Sequence, residues 1–193
     1  MKQPSLVLAS TSPRRQLLLA LMQIPFETIG VDTEELFDSA CSIEDNVTRI
    51  ALEKSRAAET LLGGSGRRRI ILSADTVVAK GSKVLGKPTG FDDAFAMLRS
   101  LQNRSHQVYT GFVLHSAAGT HTECVSTSVE FEPMSDKEIT RYLLAVKPYD
   151  KAGAYGIQDP LMACHVRRIE GCYYNVVGLP LSRVCIAMKQ FIS

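Results

Sequence analysis

One run of twelve residues constrains the fold of this chain more than any other. Residues 70–81 have the sequence Ile-Ile-Leu-Ser-Ala-Asp-Thr-Val-Val-Ala-Lys-Gly. Such a nearly continuous apolar run is typical of a strand covered on both faces, in the middle of an α/β sheet. Asp75 interrupts it, and a buried carboxylate is costly unless it is hydrogen-bonded, paired or metal-bound. We interpret Asp75 as a functional carboxylate at the floor of a cleft; the alternative is a core aspartate that caps a loop.

The composition of the chain limits which kinds of protein it can be. The chain has 193 residues, 45% of them apolar and 22% charged, which is ordinary for one globular domain over residues 1–193. A net charge of +2 argues against a nucleic-acid-binding tail, and no apolar run approaches the roughly 20 residues of a membrane span. The five scattered cysteines and the lack of a secretion signal favour a reducing compartment. We expect a cytoplasmic protein that binds neither nucleic acid nor membrane.

The N-terminal segment predicts an anion site. A short strand over residues 6–10 leads to Ser12, which suits a helix N-cap, and to Pro13, which suits the first helical position. Arg14 and Arg15 follow in the first turn, where cations oppose the helix dipole. Their guanidinium groups and the open backbone N–H groups favour phosphate binding. The alternative is a pair of solvated arginines.

A long helix is predicted from Ser42 to Leu62, ended by the glycine-rich residues 63–66. Lys54 falls on its apolar stripe, where a lysine either extends to solvent, the commoner explanation, or meets an anion. A second strand precedes this helix and ends in the acidic residues 32–35, which alone indicate a solvated turn. The predicted stripe consists of Val47, Ile50, Ala51, Ala58 and Leu61.

Residues 81–88 resemble a P-loop but fail its chemistry. The pattern Gly-x-x-x-x-Gly-Lys is present, yet Pro88 stands where the hydroxyl ligand of magnesium belongs and opposes continuation of a helix. We therefore predict a hairpin that ends in a rigid turn, from which Lys87 can reach a phosphate.

The remaining segments alternate between helices and strands. We predict a helix from Phe91, a helix capped at Ser135 and a final helix through Met188. Strands are predicted over residues 107–116, 122–132 and 165–169, and residues 151–159 are rich in small side chains that permit close approach.

Taken together, these motifs resemble the Maf family of nucleoside triphosphate pyrophosphatases over nearly the whole chain. The resemblance rests on residues 8–15 (Leu-Ala-Ser-Thr-Ser-Pro-Arg-Arg), 51–54 (Ala-Leu-Glu-Lys), 73–76 (Ser-Ala-Asp-Thr), 86–88 (Gly-Lys-Pro), 106–111 (His-Gln-Val-Tyr-Thr-Gly), 150–158 (Asp-Lys-Ala-Gly-Ala-Tyr-Gly-Ile-Gln) and 175–180 (Asn-Val-Val-Gly-Leu-Pro).

The resemblance implies a fold and an activity. The expected fold is α/β, with a mixed, elongated sheet flanked by helices and two lobes around a central cleft, as in inosine triphosphate pyrophosphatases. The expected reaction splits a nucleoside triphosphate into a monophosphate and pyrophosphate with a divalent metal, Mg²⁺ or Mn²⁺. We also expect a homodimer.

The resemblance also implies residue roles. Asp75 matches the proton acceptor and, with Glu35, the metal-associated acidic residues. Because Thr33-Glu34-Glu35 departs from the usual Asp-Glu sequence, Glu34 stays open as a substitute.

The substrate-binding residues follow in the same way: Ser10, Arg14, Lys54 and Lys87 match residues that bind phosphate. Arg14, Thr76 and Gln158 mark the branch that hydrolyses dTTP and UTP.

Base selection has its own chemical rationale. The Gln158 amide offers a donor and an acceptor to uracil or thymine, whereas a carboxylate there would suit guanine. Alternatively, Gln158 only braces the loop around Tyr155. Residues 159–163 depart from the glycine-rich sequence of relatives.

Two other functions are compatible with parts of the sequence. A non-catalytic nucleotide-sensing module would bind triphosphate and regulate a partner, but the intact Asp75 argues against it. A P-loop-like phosphotransferase is disfavoured by Pro88.

Overall fold

A computed structural model of the chain describes residues 4–63 and 68–192. Its strands are β1 (Ser5–Ala9), β2 (Phe26–Ile29), β3 (Arg69–Lys80), β4 (Lys83–Leu85), β5 (Ser105–Ser116), β6 (Gly119–Phe131) and β7 (Val166–Glu170). Its helices are α1 (Pro13–Ala20), α2 (Ile43–Leu62), α3 (Phe91–Leu101), α4 (Asp136–Val146), α5 (Pro160–Ala163), α6 (Tyr173–Val177) and α7 (Leu181–Ile192), with a 3₁₀ turn at Ala152–Ala154.

The strands form one mixed sheet. Their order is β2-β1-β3-β5-β6-β7, and β4 pairs with β3 outside this path. Strand β1 is parallel to both β2 and β3, whereas β4 is antiparallel to β3 and β7 is antiparallel to β6. The predicted α/β class is confirmed, and β3 lies inside the sheet, between β1 and β5.

The chain divides into two compact units. Unit 1 comprises Met1–Asp75, Thr110–Val125 and Gly178–Ser193; unit 2 comprises Thr76–Tyr109 and Ser126–Val177. Strands β3, β5 and β6 each contribute residues to both units. The predicted arrangement of one domain with two lobes and a central cleft stays a prediction.

In unit 1, helix α2 packs very closely on the sheet. A Cβ atom added at Gly111 of β5 would lie 2.5 Å from the carbonyl carbon of Val47 and 2.7 Å from the nitrogen of Thr48. The buried Ser73 hydroxyl of β3 donates to the Ala51 carbonyl at 2.7 Å. Only a residue without a side chain fits at position 111, so the sequence of β5 sets how near α2 can come.

In unit 2, a buried aromatic cluster supports the small-residue segment. The His106 ring lies 4.8 Å from Phe131 and 5.4 Å from Tyr155 between ring centres. The Tyr155 hydroxyl pairs with His106 Nε2 at 2.7 Å. Burial lowers the pKa of His106 to about 4, so the ring is neutral at pH 7.

The small residues of the predicted segment do permit close approach. Gly153 has a φ of +69°, and a Cβ there would lie 3.0 Å from the Val78 side chain. The Gly153 N–H donates to the Gly86 carbonyl at 3.0 Å, which ties this segment to the predicted Gly-Lys-Pro turn within unit 2.

Several local predictions hold, and others need correction. The hairpin after β3 is confirmed by β4, and Ser135 forms the predicted capping box. Ser12 occupies the N-cap position of α1, but its side chain makes no capping hydrogen bond. Leu61 was predicted on the buried stripe of α2 and is 64% exposed. Instead Leu62 packs against the small core cluster that includes Ala58, because residues four apart lie on the same face of a helix.

The C-terminal half also contains short helices that the sequence did not predict. Helix α5 follows Gln158, and α6 precedes the final helix, which extends to Ile192. The predicted glycine-rich end of α2 agrees with its last residue, Leu62; residues 64–66 of that run lie outside the described residues.

Neither a membrane span nor a disulfide belongs to the part of the chain that the structure describes. No helix over residues 4–63 or 68–192 is long and apolar enough to cross a bilayer. The five cysteines are free thiols.

We predict that Gly111→Ala destabilises the chain by about 1–3 kcal/mol, because the added methyl group pushes α2 off the sheet. Gly86→Ala is the matched control, since a Cβ there meets nothing within 4 Å. Urea denaturation of both variants measures the effect. Equal stability of the two would contradict the close packing of α2.

Candidate active site

The candidate residues of unit 1 lie near the carboxyl ends of β1 and β2 and at the same level of β3, which runs parallel to β1. Ser10 follows the last residue of β1, Glu35 lies in the segment after β2, and Asp75 lies two residues beyond Ser73, which is level with Ala9 of β1. The carboxyl ends of parallel strands are where α/β proteins place their ligand sites. The candidate residues of unit 1 therefore occupy a location suited to binding.

The Lys54 ammonium lies between two carboxylates. Its Nζ is 2.7 Å from Asp75 Oδ1 and 2.7 Å from Glu35 Oε1. The Lys54 and Asp75 side chains are 9% and 8% exposed, whereas that of Glu35 is 39% exposed. Of the two alternatives left open for Lys54, the structure shows the second: the lysine meets an anion and neutralises the buried carboxylate that interrupts β3.

Local geometry explains why Lys54 reaches Asp75. Side chains two residues apart share one face of a strand, so Ser73 and Asp75 both face α2. Ser73 binds the Ala51 carbonyl, and Lys54 lies three residues later on the same side of the helix. Strand β3 thus contacts α2 at two positions about one helical turn apart, Ala51 through the Ser73 hydroxyl and Lys54 through the Asp75 carboxylate.

The start of α1 adds positive charge. The buried Ser10 hydroxyl accepts a hydrogen bond from the Ser12 N–H at 3.1 Å, which shapes the turn into the helix. Arg14 and Arg15 are half-buried in the first turn, and Arg15 Nε donates to the Gly178 carbonyl at 2.9 Å. The alternative of two fully solvated arginines is therefore not what the structure shows, and the predicted phosphate binding stays a prediction.

The charges of these groups act on each other. Burial lowers the pKa of the Arg15 guanidinium, while the carboxylates of Asp75 and Glu35 raise it and Arg14 lowers it further. The structure thus brings Arg15 within electrostatic reach of the Lys54 group. An anionic ligand here would meet cations from two helices.

Two residues that the sequence analysis missed fix the segment carrying Glu35. Asn46 is fully buried; its Nδ2 donates to the Asp38 carbonyl at 2.8 Å, and its Oδ1 accepts from the Asp38 N–H at 2.7 Å. Arg49 donates to the Leu36 carbonyl at 2.6 Å. The sequence contained one sign that Asn46 is buried: it lies eight residues before Lys54, on the same stripe of α2.

The Asp75 and Glu35 carboxylates suit a metal ion whose other ligands are water and the phosphates of a substrate. Among residues 4–63 and 68–192 no three His, Cys, Asp or Glu side chains converge. Asp75 and Glu35 are two carboxylates around one cation, and Mg²⁺ is commonly bound through one or two carboxylates with water and phosphates. Glu34 and Glu35 are both exposed, and it is Glu35 that contacts Lys54.

The other candidates belong to unit 2. Thr76 follows Asp75 along β3, and Lys87 is exposed in the turn between β4 and α3. Gln158 is also exposed, in the turn before α5. Because Gly86 binds Gly153, the segments that carry Lys87 and Gln158 are connected within this unit. The substrate-binding roles of all three stay predictions.

Comparisons with known proteins agree along the whole chain. A family model described as Maf-like protein matches residues 5–191. A dTTP/UTP pyrophosphatase of Pelodictyon phaeoclathratiforme is 65% identical over 192 residues, which is 100% of each chain. A dTTP/UTP pyrophosphatase of Chlorobium chlorochromatii is 54% identical, covering 97% of this chain and 96% of its own.

Other known proteins resemble the chain less closely. A dTTP/UTP pyrophosphatase of Bacillus cereus is 41% identical over 96% of this chain and 95% of its own. The solved structure of the Staphylococcus aureus Ham1 protein is 15% identical with a TM-score of 0.40, covering 66% of this chain and 71% of that one. A likeness that low adds nothing to the argument.

We predict that Lys54→Gln lowers the free energy of unfolding by about 3–5 kcal/mol, because it leaves the buried Asp75 carboxylate without its cation. The control is Arg168→Gln, which breaks an exposed pair with Glu170 and should cost about 0–1 kcal/mol. Both are measured by urea denaturation at pH 7.

Adding Asp75→Asn to Lys54→Gln should restore part of the lost stability, because the double variant no longer buries an uncompensated charge. A Lys54→Gln protein as stable as the Arg168→Gln control would refute the importance of the pair.

Proposed function

Because the chain belongs to the Maf-like protein family, we propose that it is a nucleoside triphosphate pyrophosphatase that hydrolyses dTTP and UTP, and modified pyrimidine nucleotides, to the monophosphate and pyrophosphate. Full-length relatives that are 54–65% identical and named dTTP/UTP pyrophosphatase support this function. The observation in the structure that carries it is the pairing of Lys54 with the buried Asp75, two residues past the point where the parallel pairing of β1 with β3 ends.

We propose that Asp75 orients the attacking water and accepts its proton. A positioned carboxylate can do this while the anhydride between the α- and β-phosphates breaks. The water oxygen bonds to the α-phosphorus and its proton passes to the carboxylate, while the bond from the α-phosphorus to the bridging oxygen breaks and its electron pair stays on the departing pyrophosphate. Lys54, which touches Asp75, fixes the carboxylate in one orientation.

The cations of unit 1 are proposed to stabilise the phosphates. Arg14 and Arg15 in the first turn of α1 can bind phosphate oxygens with forked guanidinium groups, next to the open N–H groups of the helix. Ser10 adds a hydroxyl. Lys87 of unit 2 is proposed to bind phosphate as a point charge from its turn. Such groups favour charge that develops on the leaving group.

We propose that Asp75 and Glu35 hold Mg²⁺ or Mn²⁺ when substrate binds. When bound, such a cation spreads phosphate charge and lowers the pKa of bound water. Lys54 would then continue to bridge the same two carboxylates or turn to a phosphate, while Asn46 and Arg49 keep the Glu35 segment in place.

Base selection is assigned to unit 2. We propose that the exposed Gln158 amide pairs with the carbonyl and N–H of uracil or thymine, with Thr76 also contributing to substrate binding. A bound base would cover the Gln158 amide, so a mismatched base would leave that amide out of contact with water and unpaired, at a cost of about 1–3 kcal/mol. A homodimer is proposed with this function on the strength of the family resemblance, and a cytoplasmic location on the strength of the scattered cysteines.

The direct test is Asp75→Asn. It removes the proton acceptor but keeps the shape, so UTP turnover should fall by about 10²–10⁴-fold. Asp92→Asn, at an exposed position in the first turn of α3, is the matched control and should keep normal turnover. Pyrophosphate release with Mg²⁺ or Mn²⁺ measures both, and circular dichroism verifies folding.

Turnover within a few-fold of the parent in folded Asp75→Asn protein would refute the catalytic role of Asp75. Binding of UTP by the parent chain with no turnover under either metal would support the nucleotide-sensing alternative.

A further inference from the structure

The turn that carries Gln158 is held by a buried polar network within unit 2. The Tyr142 hydroxyl of α4 donates to Asp159 Oδ2 at 2.6 Å and accepts from the Gly156 N–H at 3.1 Å. Lys151 Nζ lies 3.4 Å from the same Asp159 oxygen. We refer to Tyr142, Lys151 and Asp159 as the turn clamp. One phenol thus joins both ends of the four-residue turn 156–159.

The backbone of the turn is closed by its own bonds. The Asp159 N–H donates to the Gly156 carbonyl at 3.0 Å, and the Asp159 carbonyl accepts from the N–H groups of Met162 and Ala163. A Cβ at Gly156 would lie 2.7 Å from Asp159 Oδ2 and 2.9 Å from Lys151 Cε. The clamp therefore packs directly on the turn and leaves no room for a side chain at residue 156.

Burial along the turn distinguishes Gln158 from its neighbours. Ile157 is buried and Asp159 is half-buried, whereas Gln158 is exposed. Tyr142 is 2% exposed, so its hydroxyl and the Asp159 carboxylate have little water to bind. Burial and the hydrogen bond to Asp159 raise the pKa of Tyr142 above its ordinary value, so the hydroxyl stays protonated and can donate.

We propose that the turn clamp determines base selectivity by fixing the position of the Gln158 amide. This rests on the proposed function, in which Gln158 pairs with the pyrimidine. The clamp residues are positioning residues and do not touch the substrate. A side-chain amide discriminates between bases only if its donor and its acceptor are both held opposite their partners on the base. A displacement of about 1 Å weakens both hydrogen bonds and lowers the selectivity.

The position of the clamp predicts which kinetic quantity it controls. A loosened turn would weaken the pairing with uracil but would leave the groups of unit 1 unchanged. Loss of the clamp should therefore raise KM for UTP much more than it lowers kcat, and should affect GTP little. A clamp that only supports the fold would lower thermal stability without changing the preference between bases.

The experiment compares kcat/KM for UTP and for GTP in the full-length parent, Tyr142→Phe, Asp159→Asn, Gln158→Glu and Tyr149→Phe. Tyr142→Phe keeps the ring and removes the bridging hydroxyl. Its UTP-to-GTP ratio should fall about tenfold, mainly through KM, as expected for a lost hydrogen bond in a selective site. Asp159→Asn retains an acceptor for Tyr142 but loses its charge pair with Lys151, so it should show a smaller fall. Tyr149→Phe, a half-exposed tyrosine after α4, is the control and should keep the parent ratio.

Each outcome decides something different. An unchanged ratio in folded Tyr142→Phe, together with a reduced ratio in Gln158→Glu, overturns the clamp and leaves the proposed function standing. An unchanged ratio in Gln158→Glu overturns base reading and the clamp with it. If the parent chain does not cleave UTP, the proposed function itself fails. Should Tyr142→Phe not fold, Asp159→Asn alone decides in the same way.

Discussion

The ion pair between Lys54 and Asp75 is the interaction on which the arrangement of unit 1 depends. Two desolvated charges are stable together only when their geometry is good, and here Nζ and Oδ1 are 2.7 Å apart. That distance requires α2 to lie very close to β3. Gly111 allows the approach, Ser73 fixes it one step earlier along the strand, and Asn46 orders the segment that brings Glu35 to the same ammonium.

Unit 2 is built differently, because two of its three candidate residues, Lys87 and Gln158, are exposed and lie in turns. Lys87 and Gln158 gain their positions from the backbone around them, through the bond between Gly153 and Gly86 and through the hydroxyl of Tyr142. In the proposed function, phosphate chemistry belongs mainly to unit 1 and base selection to unit 2, two parts of the chain that are built differently. A buried charged cluster suits the constant triphosphate, and an anchored turn with one exposed amide suits discrimination between bases.

Local chemistry could be predicted from the sequence, whereas contacts between distant segments could not. The apolar run around Asp75 predicted an interior strand, and Pro88 predicted a turn where a P-loop helix would otherwise start. Periodicity placed Lys54 on the buried face of α2 but could not identify its partner, which lies 21 positions away. It also could not show that Leu62, and not Leu61, packs against the core at the end of α2. Tyr142 and Asp159 are 17 positions apart, and no local pattern connects them.

The central claim is that this chain cleaves UTP between its α- and β-phosphates. The most direct measurement is ³¹P nuclear magnetic resonance of UTP incubated with the full-length protein and Mg²⁺. The account predicts that UMP and pyrophosphate appear together in equal amounts, with no orthophosphate. Formation of UDP and orthophosphate, or UTP that binds and stays intact, would contradict it.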